Sequence, residues 1–128
     1  MHKFFLWTFI SMLMSTTIQA QKNKQHHKQL RHVVLFSFKA ASTAADIKKV
    51  EDAFRVLPAQ IKEIQDFEWG INNSPENLNQ EFTHCFLVSF ASEKARDSYL
   101  PHPAHKAFVE VLKPHLEKVL VIDYWSAK

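Results

Sequence analysis

Residues 81–91, EFTHCFLVSFA, read as a β-strand with two apolar faces. Alternation puts Phe82, His84, Phe86, Val88 and Phe90 on one face and Thr83, Cys85, Leu87 and Ser89 on the other. A strand covered on one side alternates apolar with polar residues, and this one does not, so something must lie against each side of its sheet. Residues 31–39, RHVVLFSFK, repeat the pattern: His32, Val34, Phe36 and Phe38 share one face, Val33 and Leu35 the other. Each strand carries one histidine in an apolar row. A lone histidine there is ordinarily a core residue, and each needs a buried hydrogen-bond partner.

Between these strands the sequence predicts a helix and another strand. Thr43 and Asp46 have capping-box spacing. Ile47, Val50, Phe54, Leu57, Ile61 and Ile64 follow at intervals of three and four, one apolar stripe that Pro58 should kink or split near Leu57. Residues 66–72, DFEWGIN, alternate Phe67, Trp69 and Ile71 against Asp66, Glu68 and Gly70, a strand with one apolar face. Gly70 is the only glycine, which excludes Gly-rich phosphate loops; inside a strand it marks a bulge or a close backbone approach. Residues 73–80 form a polar loop. Ser92 then caps a second helix that breaks at Pro101, and a further piece starting at Pro103 presents Phe108, Val109 and Leu112 before ending near Pro114. Residues 119–125, VLVIDYW, form the last strand.

The resulting order, strand–helix–strand–strand–helix–strand, indicates an α+β, ferredoxin-like βαββαβ fold with an antiparallel sheet and its helices on one face. The other face, carrying Val33, Leu35, Cys85 and Leu87, is expected to meet the same face of a second copy, giving a homodimeric α+β barrel. Cys85 is the only cysteine, so the chain has no internal disulfide; its place in an apolar strand predicts a buried, inert thiol.

The start of the chain has a different composition. His2 and Lys3 precede an apolar run over residues 4–14, followed by small and polar residues up to Ala20. This is the layout of a secretory signal peptide over residues 1–20, and the run falls short of the ~20 residues of a membrane span. Residues 21–29, QKNKQHHKQ, contain no apolar residue and are expected to be a disordered leader to a domain over 30–128. An exported protein, periplasmic or secreted, is therefore expected, with no membrane attachment after cleavage. The net charge is +3, and Lys22, Lys24 and Lys28 belong to the leader, so no basic face remains for nucleic acid. His26 and His27, adjacent on that leader, make a weak metal site.

Chemistry is concentrated in residues 99–105, YLPHPAH, which pack a phenol and two imidazoles around a helix break. With Pro103 opening a helix, His102 falls at its cap and His105 in its first turn. The positive end of the helix dipole should keep His105 neutral there, available as a general base or ligand contact beside Tyr99. The plain alternative is a proline turn with histidines on its surface.

His32-Val33-Val34-Leu35-Phe36, Trp69-Gly70-Ile71-Asn72, Phe82-Thr83-His84, the 99–105 segment and Asp123-Tyr124 together resemble the stress-responsive A/B barrel (Dabb) family over residues 30–125. The resemblance implies a dimeric α+β barrel with a small internal pocket. In a polyketide-cyclising member of that family, a tyrosine and a histidine matching Tyr99 and His105 promote an aldol closure. Two pocket histidines of that member match His32 and His84. The resemblance thus implies catalytic roles for Tyr99 and His105 and substrate contacts for His32 and His84. The expected function is small-molecule binding or a stress-related role without catalysis. The alternative is a cyclase- or lyase-like enzyme in which His105 takes a proton next to a carbonyl and Tyr99 bonds the enolate oxygen. A haem or metal site built from the histidines is a third reading; without close-spaced ligands, no metal or cofactor is expected. The predicted signal peptide departs from a cytosolic cyclase, because activated polyketide thioesters are not expected outside the cytoplasm.

Overall fold

β1 (Leu30–Phe38) holds the sheet together, pairing antiparallel with β3 (His84–Phe90) on one side and with β4 (Leu116–Trp125) on the other. β2 (Asp66–Ile71) adds to the far side of β3, giving the order β2-β3-β1-β4 of a ferredoxin-like sheet. The computed structural model describes residues 27–127, so the expected signal peptide and residues 21–26 of the leader lie outside the described residues. Gln29 is already tied to the domain: its N–H donates to Ser126 Oγ at 3.0 Å, and its carbonyl accepts from the Ser126 N–H at 2.9 Å. No helix among the described residues is long and apolar enough to cross a membrane.

The two expected helices are each delivered as two pieces. α1 (Ala44–Arg55) begins at the Thr43–Asp46 capping box and buries Val50 and Phe54. Pro58 ends it early, because a proline is tolerated only in a first turn. It serves as such in α2 (Leu57–Gln60), which buries Leu57, while Ile64 packs on the core from beyond the helix. α3 (Glu93–Tyr99) starts where the Ser92 side chain accepts from the Ala95 N–H, and α4 (Pro103–Leu112) starts at Pro103 as expected.

Register sorts the side chains. His32, Val34 and Phe36 of β1 lie opposite Val88, Phe86 and His84 of β3 and Asp123, Val121 and Val119 of β4, all on the helix side. The core beneath the helices is aromatic. Phe54 stacks on Phe86 at 4.2 Å between ring centres and meets Phe108 edge-on at 4.6 Å. Burying each such side chain contributes roughly 1.5–3 kcal/mol. The helix layer stops short of β4, whose Val119 and Val121 remain 50% exposed although they point to the helix side.

Three expectations are corrected here. Residues 81–83 do not belong to β3, because Gln80 and Glu81 adopt left-handed backbone angles (φ 51° and 67°) and break the extended chain. Cys85 is exposed rather than buried, since it points to the face without helices, beside Val33, Leu35, Leu87, Leu120, Ile122 and Tyr124. Gly70 marks neither a bulge nor a close approach within the chain. The β2–β3 register runs through it without a shift, and a Cβ there would meet nothing within 4 Å.

Candidate functional site

The gap between α3, α4 and β4 leaves a cavity of about 360 Å³ whose wall includes His32, Tyr99, His105 and Asp123 at its polar part and Val34, Phe108, Leu112 and Val121 elsewhere. Its size falls in the range of small-molecule pockets, about 300–1,000 Å³. Tyr99, the last residue of α3, is buried; its ring centre lies 4.4 Å from that of His105, 5.8 Å from His32 and 5.1 Å from Phe90. No side chain or backbone group among the described residues hydrogen-bonds its hydroxyl, and burial pushes the phenol well above the usual tyrosine range. It is therefore a protonated donor at neutral pH.

His105 sits in the first turn of α4. Its Nδ1–H donates to the Leu100 carbonyl at 2.9 Å, because a carbonyl can only accept. In the neutral ring that leaves Nε2 as a lone-pair acceptor. Burial, more than anything else, lowers its pKa; the Leu100 carbonyl pulls the other way, and His32 and His102 add smaller repulsion. The direction is the one expected for a neutral ring, and its main cause is desolvation. His102 caps α4 through its ring: Nδ1 accepts from the Ala104 N–H at 3.0 Å.

His32 finds its partner on the neighbouring strand. Its Nδ1–H donates to Asp123 Oδ1 at 2.7 Å, and Asp123 Oδ2 accepts from Arg96 Nη1 at 2.9 Å. In the sequence, Asp123 is visible only within the Asp123-Tyr124 pattern, and nothing local marks Arg96. Both follow from the β1–β4 register, which sets Asp123 opposite His32.

His84 shares the face of His32 but not the cavity. On β3 it lies four residues from Val88, the residue opposite His32, which at ~3.3 Å per residue separates the two histidines by about 13 Å along the sheet. Its Nε2–H donates to Glu51 Oε1 at 2.9 Å, and its Nδ1 accepts from the Thr83 hydroxyl at 2.8 Å. Its ring lies parallel to that of Trp69 and meets Phe38 edge-on. Both nitrogens are thus occupied by the protein itself. The structure brings His32, Tyr99 and His105 together and sets His84 in a separate, satisfied network. Among the described residues no three His, Cys, Asp or Glu side chains converge as a metal site.

Residues 30–126 match the family model described as the Stress responsive A/B Barrel Domain. A stress-response A/B barrel domain-containing protein of Arabidopsis thaliana is 39% identical over 95 residues, 74% of this chain and 87% of that one. Olivetolic acid cyclase of Cannabis sativa is 29% identical over 99 residues, 77% of this chain and 98% of the cyclase. Among solved structures, a dimeric protein of unknown function and ferredoxin-like fold from Bacteroides fragilis is similar with a TM-score of 0.63 at 25% identity, over 75% of this chain and 94% of that chain.

Proposed function

The chain belongs to the stress-responsive A/B barrel family, and on that premise we propose that it is a homodimer whose cavity takes a small, largely apolar carbonyl compound and moves a proton at the carbon beside the carbonyl. One observation carries this reading: burial drives His105 and Tyr99 in opposite directions, leaving a neutral imidazole with Nε2 as acceptor beside a protonated phenol. Two groups whose environments separate their pKa values are suited to act as base and acid. His105 Nε2 takes the proton, the C–H electron pair becomes the enolate double bond, and the carbonyl π pair moves to oxygen. The Tyr99 hydroxyl donates a hydrogen bond to that oxygen. Reprotonation, or attack of the enolate on a second carbonyl, completes the turnover. Similarity to a cyclase at 29% identity supports the class of chemistry; the substrate class rests on the lining of the cavity.

Binding without turnover is the second reading, favoured by the apolar character of most of the cavity wall. The dimer is supported by the apolar face around Leu35 and Ile122 and by the dimeric Bacteroides fragilis neighbour. Action outside the cytoplasm rests on the signal-peptide layout of residues 1–20.

The test is proton exchange. Protein beginning near residue 21 is mixed in D2O with small ketones and β-diketones, and the α-proton NMR signal is followed beside the His105→Ala variant. Faster exchange with the unaltered protein supports the acid–base reading. Ligand shifts without exchange leave the binding reading standing, and the absence of both sinks the two together.

A further inference from the structure

Arg96 and Tyr99 stand three residues apart on α3 and so share a helix face, and both reach His32 from there. Tyr99 meets the imidazole edge-on. Arg96 reaches it through Asp123, whose two oxygens are divided between the His32 ring and the guanidinium. The guanidinium is itself fixed from its other side, where Nε and Nη2 donate to Asp97 Oδ1 at 3.1 and 3.0 Å. The Arg96 and Asp123 side chains are 21% and 23% exposed, so solvent screens this network only in part. The titratable groups facing His32 are Asp123 from β4, Tyr99 from α3 and His105 from α4; β3 presents Val88 and Phe90.

We infer that Arg96 is a positioning residue: by engaging the second oxygen of Asp123, it keeps His32 a neutral ring with its proton on Nδ1 and its Nε2 lone pair free. A carboxylate left alone with an imidazole favours the imidazolium. A carboxylate already balanced by a guanidinium accepts the Nδ1–H from a neutral ring without requiring a second cation. Proton placement on His32 also bears on His105, because a charged His32 would repel a proton from it. The consequence for function, which rests on the reading proposed above, is a cavity that presents neutral rings and therefore suits an uncharged carbonyl ligand.

The test does not depend on turnover. Ligand-free protein labelled with 15N in histidine is observed at pH 7, where the ring nitrogens of His32 report protonated and unprotonated states separately. The unaltered protein is expected to show one protonated and one unprotonated nitrogen. In Arg96→Gln the imidazolium fraction of His32 should rise by roughly threefold or more, the scale set by removing a unit charge at short range in a partly screened site. Arg96→Lys keeps the charge and should return most of the neutral form. An imidazolium fraction in Arg96→Gln equal to that of the unaltered protein overturns the inference. So does a Lys variant that behaves like the Gln variant. If proton exchange on ketones fails while this pattern appears, the proposed reaction falls and the role of Arg96 stands.

Discussion

Replacing Tyr99 with Phe removes one oxygen and keeps the ring that packs on Phe90, His32 and His105. In a purely structural role, the hydroxyl of a buried tyrosine is hydrogen-bonded, and its loss costs about 1 kcal/mol or more. Here no described residue bonds the oxygen, and burial alone raises the phenol. The ring is buried, but Tyr99 lines the cavity and its hydroxyl has no protein partner to lose. The variant is therefore expected to unfold within about 1 kcal/mol of the parent. Function should respond more strongly. A donor aimed at a developing enolate oxygen is typically worth 10²- to 10³-fold in rate, about 3–4 kcal/mol of barrier. Urea unfolding and α-proton exchange, measured on the same two proteins, separate the cases. A variant that loses more than about 1.5 kcal/mol of stability while exchanging protons at the parental rate would refute the assignment of Tyr99 to the site.

Acid should act on the fold through His105, whose pKa burial lowers from its ordinary 6.5. Its contribution is fully present above 6.5 and is lost as pH falls through the lower folded-state value, because the unfolded chain then binds the proton more readily. Thermal melts from pH 8 to 5 should show the parent losing more stability than His105→Gln; parallel curves would mean that the ring is not desolvated. Ile122→Asp places a charge on the exposed apolar face of β4 and should turn a dimer into a monomer in sedimentation velocity, whereas an unchanged dimer would move the interface elsewhere. His102→Ala removes the acceptor for the Ala104 N–H and should cost about 1 kcal/mol of stability, as the loss of a helix cap does. A cost near zero in urea unfolding would show that water caps α4 equally well.

What was legible in the chain was whatever one segment encodes by itself. The capping box at Thr43, the split near Leu57 and the start at Pro103 each depend on residues within a few positions, and all are found. The order of elements indicated the fold class, and the two-sided apolar character of β1 and β3 indicated a cover on each sheet face, for the same reason. The misses are of two kinds, local backbone geometry and distant pairing. The start of β3 is set by left-handed angles at Gln80 and Glu81, and the Lys118 ammonium from β4 donates to the Gln80 carbonyl at 2.9 Å. Asp123 becomes the partner of His32 only through the β1–β4 register. Parity placed His32 and His84 on one face correctly, but it cannot say how far apart along that face they lie.

The helix break explains why this corner of the fold can hold a site. In an unbroken helix the Leu100 carbonyl would accept from the Ala104 N–H four residues on. Pro101 and Pro103 prevent that helix, and the Ala104 N–H turns instead to His102 Nδ1. The Leu100 carbonyl is thereby free for His105, and its bond to Nδ1–H assigns the proton to the nitrogen away from the remaining lone pair. The same interruption leaves Tyr99 as the last residue of α3, with its ring 4.4 Å from His105 at the start of α4. Two prolines thus set the tautomer of His105, its neighbour and the gap they border, so the break is a better predictor of the site than the number of histidines in the segment. His102, which looked like a second functional imidazole, makes the hydrogen bond that keeps the break in place.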